Sequence, residues 1–400
     1  MKVAYILDTF PVLSETFVVR EMLELRKIGV DLSIYSLHRR NNELTHGFVE
    51  NLVQETHYLP RKDKSLRPKI LLSHIKLFST NPKRYCAALA LALKYGRKTL
   101  SEFFWAAYFI EQFKKAGITH IHAHFALDGA KYAMLISALT SIPYSFTIHA
   151  HDIFLKKHAK TLVDKFNRAK FVASISRFNK RYIMEHYSAV SSDQFRFVHC
   201  GIEMDHFPLR DYKERDKLNI LSTGRLVEQK GFRYLVEACG ILKNETGLDF
   251  SCNIIGEGVD RAELEEIIKQ QKLEGTVHLL GAMEHSFVKE LLLESDLFAM
   301  PCVVTHDGTM DGIPVALMEA MAVGVPVIST RVSGIPELIN DRVGKLVDEK
   351  DAQGMAQAIA EFARRSHSDR IKMGQEARKV IDQEFNSATE AARLLNYFKE

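Results

Sequence analysis

Four charged side chains in the second half of the sequence have the types and spacing for chemistry on a phosphorylated, hydroxyl-rich ligand. Arg225 and Lys230 lie five residues apart in a loop flanked by glycines. Arginine can bind a diphosphate through two parallel hydrogen bonds, and lysine binds it as a point charge. Asp311 and Glu319 supply carboxylates, which accept hydrogen bonds from hydroxyl groups. Either pair alone is also typical of an ordinary protein surface, but together the four favour a functional site.

Glu319 is the only charged residue between Gly312 and Thr330, in a segment predicted to be helical over 314–323 with Pro314 in its first turn. A buried carboxylate without a partner costs several kcal/mol, or roughly that order. Glu319 therefore either contacts solvent and a ligand or has a structural partner in the core, and both interpretations stay open. The loop before it delivers backbone N–H groups to a helix start, where a phosphate is favoured.

The stretch 307–330, DGTMDGIPVALMEAMAVGVPVIST, resembles the retaining glycosyltransferases of family 4, which have the two-domain GT-B fold. Asp311 and Glu319 stand at the spacing of that family's E-x(7)-E signature, with Asp at the first position, one methylene shorter than Glu. The resemblance implies that Asp311 is a catalytic residue directed at the donor sugar and that Glu319 binds the nucleotide ribose. It also implies donor contacts from the backbone of Gly312, Ile313, Pro314 and Val315.

The same resemblance implies that Arg225 and Lys230 hold the donor diphosphate and that the loop at Gly256 lies near the nucleotide base. A lone G-x-G after a strand is equally an ordinary strand-to-helix turn. His149 is implied to contact the donor sugar and the leaving phosphate, with His151 and Asp152 as close rivals. No metal and no cofactor are expected, since cations and helix N-termini can stabilise the leaving diphosphate of a nucleotide-sugar donor.

The loop after the first predicted strand, DTFPVLSET, has no glycine cluster and so no dinucleotide-binding G-x-G-x-x-G. Ser14 is a plausible helix N-cap. In the glycosyltransferase comparison this loop faces the acceptor, and FPVLSET is similar to a subset associated with exopolysaccharide assembly of the colanic-acid type. Ser14, Glu15 and Thr16 are therefore predicted acceptor-side residues.

Strands alternate with helices in both halves of the chain, which predicts an α/β fold with doubly wound parallel sheets. The resemblance implies two Rossmann-like domains that face each other across a cleft. We expect an acceptor domain over 1–205, a nucleotide-sugar domain over 206–385, and a C-terminal helix at about 386–400 that packs back on the first domain. The predicted strands are 3–7, 31–37, 119–125, 145–149, 171–174, 195–198, 219–223, 252–255, 277–280, 297–300 and 325–329.

His120, His122 and His124 alternate along one predicted strand, so their side chains share one face. Such a trio could ligate a metal ion. A polar strand face is the better interpretation, because a spacing of two along one strand seldom places ligands tetrahedrally around zinc.

Length and composition limit the class of protein. The 400 residues, with 46% hydrophobic and 26% charged, favour two globular domains. Five scattered cysteines without a C-x-x-C pair indicate a reducing compartment, and no targeting segment or bilayer-spanning run is recognised. We expect a cytoplasmic protein that does not bind nucleic acid.

The segment 61–115 holds thirteen Lys and Arg against three acidic residues, a net +10, which leaves −6 on the rest of the chain. It also holds Phe103, Phe104, Trp105, Tyr108 and Phe109. Cations beside apolar faces suit peripheral contact with an anionic membrane, on the inner face of the cell membrane. The alternative is that these helices pack on the first domain and leave their cations in water.

Taken together, the sequence predicts a retaining glycosyltransferase of bacterial polysaccharide biosynthesis. It would move a sugar from a nucleotide-sugar donor to a saccharide or a polyprenyl-diphosphate-linked acceptor. Two alternatives stay open: a nucleotide-sugar epimerase or hydrolase on the same fold, and a non-catalytic nucleotide-sugar-binding protein.

Overall fold

The computed structural model describes residues 1–12, 15–40, 49–154 and 160–400. Contacts within the chain divide it into two compact units. The first contains Met1–Ile175, Asn179–Val198 and Ala388–Glu400, and the second contains Ser176–Phe178 and His199–Ser387. Within the described ranges, no helix combines the length and the apolar character that crossing a bilayer requires.

The first unit is built on a parallel sheet of seven strands in the order β3-β2-β1-β4-β5-β6-β7. Every residue of β4, β5 and β6 is buried, as expected for a parallel sheet that is covered on both faces. The strands are β1 (Lys2–Phe10), β2 (Asp31–Arg39), β3 (His57–Tyr58), β4 (His120–His124), β5 (Tyr144–Ile148), β6 (Phe171–Ser174) and β7 (Phe195–Phe197).

Within the described ranges, nine helices connect these strands or lead out of the sheet. Proline lies in the first turn of α3 and of α4, and Gly117 ends α5 in the left-handed conformation with φ +71°. The helices are α1 (Thr16–Lys27), α2 (Glu50–Glu55), α3 (Arg67–Thr80), α4 (Pro82–Lys94), α5 (Arg97–Ala116), α6 (Asp128–Thr140), α7 (His151–Phe154), α8 (Leu162–Arg168) and α9 (Arg177–His186).

Most aromatic side chains of α5 lie in the core of the first unit, whereas Phe104 and Tyr108 are half-buried. Phe103, Trp105 and Phe109 are all buried. The helix packs against α6, where Lys131 Nζ lies 2.8 Å from the buried carboxylate of Glu102. Packing within the unit therefore covers Phe103, Trp105 and Phe109, and these three side chains cannot contact a membrane in this fold.

The second unit has a parallel sheet of six strands in the order β10-β9-β8-β11-β12-β13. Its strands are β8 (Leu218–Thr223), β9 (Phe250–Ile255), β10 (Val277–Gly281), β11 (Leu297–Met300), β12 (Val327–Thr330) and β13 (Gly344–Val347). Its helices are α10 (Phe232–Glu245), α11 (Arg261–Gln270), α12 (His285–Leu293), α13 (Val315–Ala322), α14 (Ile335–Leu338), α15 (Ala352–Ala363) and α16 (His367–Glu384).

The last helix, α17 (Ser387–Lys399), begins where the chain leaves the second unit. Ala391, Leu394 and Phe398 join the buried cluster that includes Val3 and Phe171 of the first unit's sheet. At the junction, the N–H of Ser387 donates to the carbonyl of Ile202 over 3.0 Å. Gly201 fits against this crossing because a Cβ there would lie 2.3 Å from the Cα of Ser387.

Candidate active site

The loops at the carboxyl ends of β8 and β9 are pressed together in the second unit. A Cβ on Gly256, whose φ is +144°, would lie 1.8 Å from the carbonyl oxygen of Gly224, and one on Gly258 would lie 2.1 Å from that of Leu226. The N–H of Gly224 donates to Ile255, and the N–H of Leu226 donates to Glu257. Backbone packing thus accounts for both glycines of the G-x-G, and it fixes the loop that carries Arg225.

Arg225 is exposed and lies close enough to Lys230 that its charge opposes the protonation of that ammonium. Among the residues that the structure describes, no carboxylate forms an ion pair with Arg225. Its guanidinium is therefore available to an anion at the carboxyl edge of the sheet, which is where ligands bind in open α/β sheets.

Lys230 pairs with Asp311, with 3.0 Å between Nζ and Oδ2. The next residue, Gly231 (φ +66°), brings this loop against the end of β11, since a Cβ there would lie 1.9 Å from the carbonyl oxygen of Pro301. Burial alone would lower the pKa of Lys230, but the charge of Asp311, its hydrogen bond to the ammonium and the neighbouring Cys302 together outweigh burial, and the pKa lies above its ordinary value. Lys230 is therefore cationic at neutral pH, and Asp311 is held beside it.

Cys302 contributes a contact to Asp311 that the sequence interpretation missed. Its Sγ lies 3.6 Å from Asp311 Oδ2. Burial, followed by the neighbouring carboxylate, raises the pKa of this thiol, so Cys302 donates its proton to Asp311. The sequence gives no signal that separates Cys302 from the other four cysteines. Only the turn after β11 places it beside Asp311.

Glu319 is buried on α13 with 7% of its surface exposed. His285, the first residue of α12, places Nε2 3.2 Å from Glu319 Oε1. The carboxylate therefore has a protein partner, which does not remove the ribose interpretation, because a carboxylate accepts several hydrogen bonds. Sequence reasoning missed His285, since no local signal joins two residues that are 34 positions apart.

The backbone from Gly312 to Val315 forms the turn between Asp311 and α13. Gly312, Ile313 and Pro314 are buried, and Val315 is half-buried. Pro314 precedes the helix with φ −62° and ψ 124°. The predicted donor-contact segment is thus the loop that enters the helix carrying Glu319.

His149 follows β5 in the first unit and is buried. Its Nε2 lies 3.0 Å from His124 Nδ1, and the other ring nitrogen of His124 lies 3.0 Å from Glu21 Oε1. The hydroxyl of Tyr5 donates to the same Glu21 oxygen over 2.5 Å. Burial, together with the nearby histidines, holds the pKa of His149 well below its ordinary value, so the imidazole is neutral at pH 7.

Asp152 and His151, the two alternatives to His149, differ in their surroundings. Asp152 is fully buried and accepts hydrogen bonds from the backbone N–H groups of Ala126, His149 and Ala150, at 2.8, 3.1 and 2.8 Å. Asp152 thus fixes the turn that positions His149. His151 is exposed and lines the cavity described next.

A cavity of about 370 Å³ opens beside the carboxyl ends of β1 and β4. Its polar lining includes Asp8, Glu15, Arg40, His124 and His151. Of the three predicted acceptor-side residues, Glu15 lines this cavity, Thr16 begins α1, and Ser14 lies outside the described residues.

Asp8 lines this cavity and was not among the predicted site residues. Its carboxylate accepts hydrogen bonds from the N–H groups of Asp128 and Gly129, at 3.1 and 2.5 Å, and so caps α6. A Cβ on Gly129 would lie 2.8 Å from Asp8 Oδ1, which requires glycine there. Burial raises the pKa of Asp8 to about 6 in spite of these donors.

The histidines of β4 face β5. His120 Nε2 lies 2.7 Å from Ser145 Oγ, and His122 contacts Ser145 at 2.8 Å and Thr147 at 3.1 Å. Ligand atoms of Glu21, His122 and His124 lie within 4.8 Å of one another. Because all three residues already form hydrogen bonds, a polar strand face accounts for their arrangement without an ion.

Comparisons with known proteins agree with this architecture. Residues 209–380 match the model of the family described as "Glycosyl transferases group 1", and residues 14–206 match "Glycosyltransferase Family 4". The chain is 32% identical to the putative colanic acid biosynthesis glycosyltransferase WcaL of Salmonella typhimurium, which it matches over 96% of each chain. It is also 32% identical to the amylovoran biosynthesis glycosyltransferase AmsK of Erwinia amylovora, again over 96% of each chain.

The chain therefore belongs to this family of glycosyltransferases. Solved structures confirm the fold. A glycosyltransferase from Rickettsia africae superposes with a TM-score of 0.73 at 19% identity and covers all of this chain and 98% of its own. Anabaena HepE, solved with UDP, gives a TM-score of 0.72 at 15% identity, with both chains fully covered. The two Rossmann-like units are those of the GT-B class, as the resemblance predicted.

Proposed function

We propose that this glycosyltransferase transfers a sugar from a nucleotide-sugar donor to a hydroxyl of a saccharide or of a polyprenyl-diphosphate-linked saccharide, in the assembly of a bacterial polysaccharide. The names of the relatives support the pathway, since those 32% identical are described as colanic acid and amylovoran biosynthesis enzymes. A solved structural neighbour contains UDP and glucose, which supports a nucleotide-sugar donor.

The observation that carries the proposal is the group at the carboxyl edge of the second unit's sheet. The Lys230–Asp311 pair, the exposed Arg225 and the buried Glu319 lie on loops that meet at that edge or on the helix that follows. In the proposed complex, Arg225 and Lys230 bind the donor diphosphate, Asp311 contacts the sugar, and Glu319 accepts hydrogen bonds from the ribose.

We propose retention of anomeric configuration by front-face attack. The bond from the anomeric carbon to the diphosphate oxygen breaks, and a bond to the acceptor oxygen forms on the same face. The acceptor proton passes to the departing diphosphate oxygen. Arg225 and Lys230 stabilise the negative charge that develops there, so the proposed reaction requires no metal ion.

The cavity at Asp8, Glu15, Arg40 and His151 is the proposed acceptor site. Its volume of about 370 Å³ falls in the range of small-molecule pockets. Its lining mixes carboxylates with a guanidinium and imidazoles, which suits the hydroxyl groups of a saccharide.

We further propose that the protein works in the cytoplasm and attaches peripherally to the anionic inner face of the cell membrane, where a polyprenyl-linked acceptor would lie. No disulfide bond joins two cysteines in the part of the chain that the structure describes, in keeping with a reducing compartment. The net +10 of residues 61–115 supports the attachment.

The test is to screen nucleoside diphosphates and nucleotide sugars by thermal shift, and then to assay the stabilising donor with an acceptor in the presence of EDTA. Anomeric proton couplings in the product's NMR spectrum decide the stereochemistry, and an inverted product would overturn retention. Donor turnover that needs no acceptor would favour the epimerase or hydrolase alternative, and binding without turnover would favour the non-catalytic one.

A further inference from the structure

Helix α3 leaves a row of large apolar side chains in solvent. Leu71, Leu72, Ile75 and Phe78 are 56%, 59%, 57% and 48% exposed. At 100° per residue, positions 71, 75 and 78 fall within an arc of roughly 60°, so they form one stripe along the helix. This stripe, together with Leu72, is called the α3 apolar face below.

The α3 apolar face is not the face that holds the helix in the fold. Ile70, Ser73, His74 and Leu77 are buried and face the other way. Exposed apolar patches on a protein surface commonly mark sites of contact with another protein or a membrane. Because α3 is already anchored by its buried side, the exposed stripe is available to a partner.

The sequence around this face is basic. Residues 64–101 include no Asp or Glu. Five cations of α3 and α4 are exposed, and within the described part of the chain none of them forms an ion pair: Arg67, Lys69, Lys76, Lys83 and Arg84. By contrast, Lys94 at the end of α4 pairs with Asp164 over 2.7 Å.

We propose that the α3 apolar face docks on an anionic lipid bilayer, with its leucine, isoleucine and phenylalanine side chains in the outer acyl region and the flanking cations against the headgroups. Apolar anchors surrounded by lysine and arginine are the chemistry of an interfacial helix. A nucleic acid would satisfy the cations but leave the aliphatic stripe in water, so lipid is the better partner.

This inference rests on the peripheral attachment proposed above and assigns it to specific residues, in place of the buried aromatic residues of α5. Each lysine or arginine at an anionic surface contributes about 1 kcal/mol, which is roughly a fivefold change in partitioning.

The test uses full-length protein in co-sedimentation with vesicles of phosphatidylcholine, with and without about one-third phosphatidylglycerol. We expect the parent to bind the anionic vesicles and to dissociate at high salt. Ile75→Ser/Phe78→Ser should weaken partitioning by at least about tenfold, and Lys69→Glu/Lys76→Glu by roughly 25-fold or more. Matched controls remove exposed residues elsewhere: Ile28→Ser/Leu209→Ser and Lys213→Glu/Lys269→Glu should stay within about twofold of the parent.

Parallel transfer to a soluble acceptor separates the outcomes, and all variants should retain parental activity there. If the parent binds anionic vesicles but the α3 variants bind equally well, the inference fails while peripheral attachment stands. If the parent binds no vesicle at low salt, both fail, and the exposed stripe would then belong to a protein partner. If the parent transfers no sugar to the soluble acceptor, the proposed function is contradicted.

Discussion

His124 Nδ1 lies 3.0 Å from His149 Nε2, and this contact continues through the other ring nitrogen of His124 to Glu21, 3.0 Å away. An ionised carboxylate can only accept, so His124 donates its Nε2 proton to Glu21 and accepts at Nδ1. His149 must then donate from Nε2, which places the lone pair of the neutral ring on Nδ1. The Glu21–His124 pair therefore selects the tautomer of His149.

His124→Phe should lower kcat by roughly tenfold or more while the donor KM changes by less than about twofold, because the tautomer and orientation of His149 would no longer be fixed. The matched control is His120→Phe. His120 lies on the same strand, is equally buried and contacts Ser145, but it is not in the chain to His149. Steady-state kinetics check this, and equal losses in both variants would mean that His124 acts only through packing.

Arg225→Ala should raise the donor KM and lower kcat, for a total loss of about 2–4 kcal/mol in transition-state stabilisation. Arg225 has no ion-pair partner among the described residues, so its removal leaves no carboxylate unpaired. Lys230→Ala should lose at least as much, since it also strands Asp311. Arg233→Ala, which removes an exposed arginine paired with Glu237 and Glu263, serves as the control. Kinetics within twofold of the parent for both Arg225→Ala and Lys230→Ala would remove the diphosphate assignment.

Asp311→Asn should make nucleoside diphosphate binding more sensitive to alkaline pH. In the parent, Asp311 raises the pKa of Lys230, and the stabilisation of that charge is present at neutral pH and is lost only as the pH rises through the raised value. In the variant, burial would lower the pKa of Lys230 without the compensation that the charge of Asp311 supplies. Calorimetric titrations from about pH 7 to 10 check the shift, and identical pH dependence in both proteins would contradict it.

Asp311→Glu should retain more activity than Asp311→Ala, because the carboxylate is kept. Equal loss of kcat in the two variants would mean that the shorter aspartate side chain is required at this position beside Lys230.

Glu319→Gln should weaken nucleoside diphosphate binding by about tenfold and leave the fold intact, because a charged acceptor becomes a neutral group of nearly the same shape. His285→Ala separates the two interpretations of Glu319. If His285 is only a structural partner of the carboxylate, its removal lowers stability and leaves nucleotide affinity unchanged. Calorimetry measures the nucleotide affinity of both variants, and thermal unfolding measures their stability. Unchanged nucleotide affinity in a folded Glu319→Gln variant would favour a purely structural role for this carboxylate in the core.

Asp8→Asn should change how stability depends on pH. The pKa of Asp8 is about 6 in the folded chain against an ordinary 3.8, so ionisation disfavours the native state and stability falls as the pH rises from about 4 to about 7. The effect is at most about 3 kcal/mol. The asparagine variant lacks this loss, so its melting temperature relative to the parent should rise across that range. A constant difference would show that Asp8 titrates normally.

The alternation of strands and helices could be predicted because buried parallel strands are short apolar runs, as in the stretch ending at Met300. The elements between Ile335 and Glu384 were not predicted. Helix α16, for example, has only four buried residues in 18, so its apolar signal is weak.

The candidate site residues were named from the family resemblance, but their partners in the fold could not be named from sequence. His285 reaches Glu319 and Asp8 reaches Gly129 only through the fold, across 34 and 121 positions. The apolar character of α3 was visible in sequence, but which of its two apolar sides would be covered depends on the position of α5. Phe103, Trp105 and Phe109 of α5 also suggested a membrane face in the sequence, but their side chains are buried in the core of the first unit.

The return of α17 to the first unit has a consequence for synthesis on the ribosome. Phe398 contacts the rings of His120, His122 and Phe171 in the core of that unit, yet it is translated only after the whole second unit. The apolar surfaces that Phe398 covers in the first unit therefore stay uncovered while the second unit is synthesised. We expect nascent chains released before residue 387 to expose these surfaces to chaperones, and pulse proteolysis of chains stalled at successive lengths would detect when the first half becomes resistant.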